Sequence, residues 1–295
     1  MVGEDFMYGS SWLSDFDMMM VSSEDAQQFV SRNFDRGDIT SLRAKPNHYS
    51  AVYNDSLTLS FFIMKTDGCD EQDKYKITGD EVHYLRSWLE SPKKPTELVV
   101  TNDENEINVH YYGIFSSVQP FVYEDSCYGL YLTFTCDSPY GYSDEFKMRY
   151  NISSSVVSVS GKFVNMSAEH EEYLMPVVTI SSSSTFGSNE TLSIKNVSDN
   201  NKEMVLTLPQ GLSKLVIDCE KKIVTDGNGN LVTMNSLGVT VPQNSTYNFI
   251  STDMFVFYWL SLVHGENRLT FTPSTANTIS TVEISTKYII KSGGF

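Results

Sequence analysis

Apolar residues recur along this chain at two spacings, and only one stretch keeps the helical one. In residues 78–92, TGDEVHYLRSWLESP, Val82, Leu85 and Leu89 fall at i, i+3 and i+7 with Trp88 beside them, which lines one face of an α-helix. Thr78 followed three residues later by Glu81 is a capping box, in which each side chain satisfies a backbone N–H of the other. Ile77 and Val82 are placed as a hydrophobic staple around it. Ser91 and Pro92 end the helix, and Lys93 and Lys94 follow where cations suit its negative end. The spacing predicts a helix over residues 78–91 that covers one face of a sheet.

Elsewhere the period is two. In residues 56–64, SLTLSFFIM, Leu57, Leu59, Phe61 and Ile63 alternate with mixed positions as in a half-buried strand. Residues 6–21 read as turn and strand, with Gly9-Ser10-Ser11 as punctuation and Phe16, Met18 and Met20 alternating. The polar stretch 23–38 reads as loop or short strand, and 67–76 as a charged loop, either an arm or a connection. Strands follow the helix at 98–100, 107–115, 118–123 and 129–136, with a hairpin turn at 102–105 and with Leu130, Leu132, Phe134 and Cys136 on one face.

DSPYGYSDEF and NISSSVVSVSG then bring Pro, Gly and Ser without an apolar period, so the domain border is placed near residue 150. From residue 176 short strands return: VVTIS, TLSIKNV, MVLTL, KLVIDC, a KKIVT/LVTM hairpin about Asp226-Gly227-Asn228-Gly229-Asn230, then 255–262, 268–272 and 281–290. The fold class is mainly β. An N-terminal α+β domain, sandwich-like with one amphipathic helix, occupies residues 1–150, and a C-terminal β-sandwich occupies 151–295.

Charge narrows the function classes. Residues 1–150 hold 12 basic and 25 acidic side chains and residues 151–295 hold 9 and 12, so the halves carry −13 and −3 of the net −16. So acidic a first half argues against reading nucleic-acid sequence or lying on anionic membranes, both of which need a basic footprint. No run approaches the length of a membrane span, and the first residues show no signal-peptide pattern. The N-x-S/T sequons at Asn54, Asn151, Asn165, Asn189, Asn196 and Asn244 are read as chance in a Ser- and Asn-rich chain.

Candidate chemistry is sparse. Cys69, Cys127, Cys136 and Cys219 show neither metal nor redox spacing and read as reduced or buried thiols. Asp226 to Asn230 begins like a calcium loop but lacks its spaced carboxylates and final Glu, so it reads as a turn. His170 among Glu169, Glu171 and Glu172 has no HExxH spacing and reads as a solvated loop. No nucleophile motif or phosphate-binding glycine loop occurs, and no carboxylate pair is singled out for glycoside hydrolysis. No enzyme activity, catalytic residue, metal or cofactor is nominated. Tyr111, Tyr112, Tyr128, Tyr131, Tyr140 and Tyr142 suit either cross-strand pairing or a subunit interface, with sugar stacking as a further use.

The order of these elements resembles the distal tail protein family of long-tailed bacteriophages. YGSSWLSDFDMMM is similar to that family's first strands. SLTLSFFIM with TGDEVHYLRSWL matches its strand, loop and capped helix. LYLTFTC running into DSPYGYS matches its domain exit, and LVIDCEKKIVTDGNGNLV with HGENRLTF resembles parts of its galectin-like second domain. The resemblance implies a non-enzymatic tail-tip protein forming a homo-oligomeric, hexameric ring. That ring would join the tail tube protein to a tail-associated lysin or tail-tip protein and let DNA pass, with no sequence-specific nucleic-acid contact and no membrane insertion. It also implies assembly in the host cytoplasm, with the virion tail tip as destination. The 67–76 loop would strengthen the ring. A carbohydrate-binding adhesion module is the alternative: galectins hold sugar with His, Asn, Arg and Trp, for which His264, Asn267, Arg268 and Trp259 are the nearest residues here, at a different spacing.

Overall fold

Residues 5–21, 32–35, 50–53, 56–66, 75–101, 108–152, 158–188, 190–232, 258–274 and 278–291 are described by the computed structural model. The chain divides into one unit of Met1–Asp144 with Ile289–Phe295 and a second of Glu145–Tyr288.

The first unit runs β1 (Asp5–Tyr8), β2 (Ser11–Trp12), a 3-10 turn (Leu13–Phe16), β3 (Met18–Val21), β4 (Arg32–Asp35), β5 (Ser50–Tyr53), β6 (Thr58–Lys65), α1 (Gly79–Glu90), β7 (Thr96–Thr101), β8 (Val109–Tyr123), β9 (Ser126–Cys136) and the start of β10 (Gly141–Asn151). Among the described residues, β4 and β5 pair only with each other. β8 is the central strand. Its first part pairs antiparallel with β7 from Val109↔Val100 to Gly113↔Thr96, and its second part pairs with β9 out to Tyr123↔Ser126. β1 continues the sheet beyond β7, while β6 and β3 continue it beyond β9.

Period-two alternation puts Leu59, Phe61 and Ile63 of β6, Phe115 of β8, and Leu130, Leu132 and Phe134 of β9 on one face. α1 closes that face. Leu85 and Leu89 are buried in the same cluster, with Val82 and Trp88 packed against it. The helix starts as its sequence predicts: Thr78 Oγ1 accepts from the Glu81 N–H at 3.2 Å, and Glu81 Oε2 accepts from the Thr78 N–H at 2.7 Å. Trp88 is half-buried. Its ring stacks on Phe16 at 4.3 Å and lies 5.9 Å from Phe6, and its Nε1–H donates to the Tyr8 carbonyl at 3.3 Å.

Several local expectations are corrected. Phe16 belongs to a 3-10 turn rather than an alternating strand. The break expected at Ser116-Ser117 is a bulge inside one continuous strand, where the register shifts between Phe115 and Ser117 and the Thr135 hydroxyl donates to Ser116 Oγ at 2.9 Å. The stretch read as punctuation after Cys136 contains β10. Its second half turns Phe146, Met148 and Tyr150 inward, while its first half does not alternate and opens on Gly141, where a Cβ would lie 2.6 Å from Val109 and 2.8 Å from Tyr111. The turn expected at 102–105 and most of the 67–76 loop lie outside the described residues.

The second unit holds the rest of β10 with β11 (Val159–Asn165), β12 (Val177–Ser182), β13 (Thr191–Asn196), β14 (Lys202–Thr207), β15 (Lys214–Asp218), β16 (Ile223–Asp226), β17 (Gly265–Pro273) and β18 (Ile279–Ile290). One sheet is ordered β16-β15-β12-β18-β10 and the other β11-β17-β13-β14. Val178, Ile180, Leu215, Ile217, Val282 and Ile284 from the first meet Phe163, Leu192, Ile194, Met204, Leu206, Leu269 and Phe271 from the second in one buried core. That is a β-sandwich, so the chain is mainly β, as its patterning predicts.

Two substitutions check the packing of the first unit. Trp88→Ala removes the aromatic lid of α1 and is expected to cost about 3 kcal/mol in urea unfolding. The Tyr111 hydroxyl is buried without a hydrogen-bond partner among the described residues, and burial pushes its pKa up, so Tyr111→Phe should leave the midpoint unchanged or raise it.

Candidate functional site

The most constrained polar groups surround residues 258–263, YWLSLV. Their apolar content predicts a strand, but only Leu262 makes a bridge, to Leu174. The segment is a buried strap instead, because side chains take over the bonding that a neighbouring strand would supply. Asn196 Nδ2 donates to the Ser261 carbonyl at 2.9 Å, and Asn165 Nδ2 to the Leu262 carbonyl at 3.3 Å. Asn267 grips Val263 twice, Oδ1 accepting its N–H at 2.9 Å and Nδ2 donating to its carbonyl at 2.8 Å. Asn196 Nδ2 also reaches Asn267 Oδ1 at 2.9 Å, so the three amides work as a set.

Asp199 completes the clamp. It precedes Asn200 and Asn201, whose left-handed φ values of 53° and 58° make the β13–β14 turn. Its buried Oδ2 accepts from the Tyr258 hydroxyl at 2.9 Å and from Ser261 at 3.1 Å, while Oδ1 accepts from Lys202 at 3.1 Å and from Tyr173 at 3.3 Å. Burial alone would raise this carboxyl, but the hydrogen bonds from Lys202, Tyr258 and Ser261 outweigh it and hold it below the usual range. With these four donors on its two oxygens, the group fastens the strap and is not poised as a base.

The residues singled out in the sequence are dispersed. Asp226 folds back on its own turn, accepting the backbone N–H groups of Asn228 and Asn230 at 2.8 and 2.9 Å, so Asp226–Asn230 is a hairpin turn. His170 meets His264, their rings stacked at 3.8 Å and 29° on the surface. Near-parallel rings aim their lone pairs side by side rather than at one point, and among the described residues no three His, Cys, Asp or Glu side chains gather as a metal site. Asn267 is buried in the strap, Arg268 pairs with Glu266 at 2.9 Å, and Trp259 packs on the core, so these residues do not present a sugar-binding set. Asn165 and Asn196, two of the sequons, are buried amides closed to glycosylation. Cys127, Cys136 and Cys219 are free thiols; Cys69, Asn54, Asn189 and Asn244 lie outside the described residues.

The tyrosines divide between the two roles that they suggested. Tyr111 is core. Tyr112 donates to Glu97 at 2.7 Å, beside His110, whose ring nitrogens lie 2.9 Å from Glu97 and 2.8 Å from Asp144 and tie β7, β8 and β10 together. Tyr140 and Tyr142 pack edge to face at 5.6 Å. Tyr131 is instead 50% exposed, in a cluster with Phe62 at 4.6 Å and Phe121 at 5.9 Å. Gly129 makes room for it, since a Cβ there would lie 2.6 Å from the Phe62 ring. The cluster runs to the tip of the β8–β9 hairpin, where Val122 and Tyr123 are 57% and 60% exposed. Sequence alternation cannot reveal this tip, because a strand end solvated on both faces keeps the residue types of a buried one.

Comparison with known proteins now gives the class. Two family profiles, described as phage tail protein N-terminal domain and phage tail C-terminal domain, match residues 1–138 and 140–230, more than three quarters of the chain together. The chain therefore belongs to a family of phage tail proteins and is a virion component. Its fold is that of the distal tail protein: the crystal structure of phage SPP1 Dit, titled a paradigm of the hub adsorption apparatus in phages infecting Gram-positive bacteria, is similar with a TM-score of 0.60 at 14% identity, over 98% of this chain and 100% of that one. Chains of the phage p2 baseplate, in its activated conformation with Ca and with Sr, align with TM-scores of 0.47 and 0.46 at 11% identity, covering 99% and 98% of this chain and 99% of each of those. No curated protein sequence matches.

The Asp199 clamp has a pH signature. A carboxyl held below its ordinary value contributes stability that is present above the unfolded value of about 3.9 and is lost as pH falls through the folded value. Asp199→Asn is expected to lower stability at pH 7 by about 2 kcal/mol and to flatten its decline in acid, read by chemical denaturation at stepped pH.

Proposed function

We propose that this protein is a distal tail protein that works by assembly rather than catalysis. Copies of it form a closed ring, a hexamer, that joins the tail tube protein to the tail-tip or baseplate proteins, a tail-associated lysin among them, and leaves a channel for DNA. It is assembled in the host cytoplasm and ends at the virion tail tip. The observation that carries this reading is the phage tail family match over both halves of the chain, and the full-length agreement with the Dit fold supports it.

Two further features fit. The described polar clusters are closed upon themselves, as in the Asp199 clamp, where an enzyme would leave a reactive group open to substrate. The charge of −13 on residues 1–150 suits a channel that must let a polyanion slide without binding it. The experiment is mass in solution together with negative-stain imaging of the whole chain. Closed rings are the expected result, and a monomer across the micromolar range overturns the reading.

A further inference from the structure

On the ring reading above, the first unit must carry two different surfaces that fit each other, because a contact that closes a ring is head to tail. We infer that these are the tip of the β8–β9 hairpin on one copy and the Lys93-Lys94 corner of the next.

The tip is built as a plug. From Gln119 to Asp125 every residue is exposed, while the returning strand is anchored behind them by the bridge of Cys127 to Ile77. It presents Phe121, Val122 and Tyr123 to water, with Tyr128 set 6.5 Å from Tyr123. Glu124 and Asp125 form the two-residue turn, with φ values of 44° and 60°. Neither carboxylate has an ion-pair partner among the described residues. Large apolar side chains left exposed and capped by unpaired charge form a surface that association would complete.

The complementary charge lies elsewhere on the same unit, between α1 and β7. Among the described residues, Lys65 pairs with Glu81 at 2.6 Å and Arg86 with Glu90 at 3.0 Å. Lys93 and Lys94, between α1 and β7, are exposed and make no ion pair among the described residues. They adjoin Thr96, which pairs with Gly113 of β8, whereas the tip begins at Tyr123. Because β7 and β8 are antiparallel, the lysines lie toward the tip from Gly113, yet about seven residues of strand, or about 20 Å, still separate them from it, so one copy cannot satisfy its own charges. A second copy can, with the acidic turn on the lysines and the aromatic residues packed behind it.

The test is a charge exchange read by light-scattering mass after size exclusion. The tip variant is Glu124→Lys with Asp125→Asn, asparagine being chosen because it tolerates the left-handed turn. The corner variant is Lys93→Glu with Lys94→Glu. All four positions are exposed, and unchanged far-UV circular dichroism confirms folding. Each variant alone is expected to weaken self-association at least tenfold, and the four changes together to restore it. Wild-type rings unaffected by either variant overturn this contact and leave the ring reading standing. Loss in both variants without recovery in the combination overturns the pairing of tip with corner. A wild type that is monomeric throughout overturns the ring reading and this contact with it.

Discussion

The packing of α1 against one face of the first unit's sheet decides what that unit can do. Leu85 and Leu89 are buried against Phe61, Phe115 and Leu132, and Trp88 lies on Phe16 and Phe6. Because side chains alternate along a strand, covering one face turns the other set of residues outward. Tyr131 is exposed and Phe62 only part-buried because they stand on the face that the helix leaves open. A slip of one residue in β6 or β9 would turn Phe62 or Tyr131 inward and expose Phe61 or Leu132 in its place.

The second unit reaches order by a different route. Its two sheets share a core of aliphatic and aromatic residues, but the 258–263 strap enters that core with a single bridge, Leu262 to Leu174. An unbonded backbone group there would cost more than the apolar side chains around it could offset. Asn165, Asn196, Asn267 and Asp199 meet that requirement from three strands and a turn, which makes them structural although each is polar.

Taken together, the two units describe a protein specialised for contact. The buried amides and carboxylate around the strap are spent on holding the chain, while the first unit leaves aromatic side chains and charges at its hairpin tip in water. In a phage tail component this division is economical of evolution, since a rigid interior can be kept while surfaces adapt to neighbouring proteins.

The legible parts of the sequence were those governed by local rules. Thr78 and Glu81 cap α1 within three residues of each other, and the alternation in 56–64 and 129–136 follows from strand geometry alone. The turn at Asp226–Asn230 and the absence of any nucleophile motif were equally readable. What the sequence could not show depends on partners far along the chain. Ser116-Ser117 looks like a break until Thr133 and Thr135 are opposite it, and 258–263 looks like a strand until asparagines from positions 165, 196 and 267 take its hydrogen bonds. The residue types at the hairpin tip are those of a buried strand, and only the fold leaves them in water. By itself the sequence determined the elements, their caps and the mainly β class, because propensity, periodicity and turn chemistry act over a few residues. The tertiary structure alone decided which faces are buried and which polar groups are satisfied, because burial depends on what the rest of the chain brings alongside.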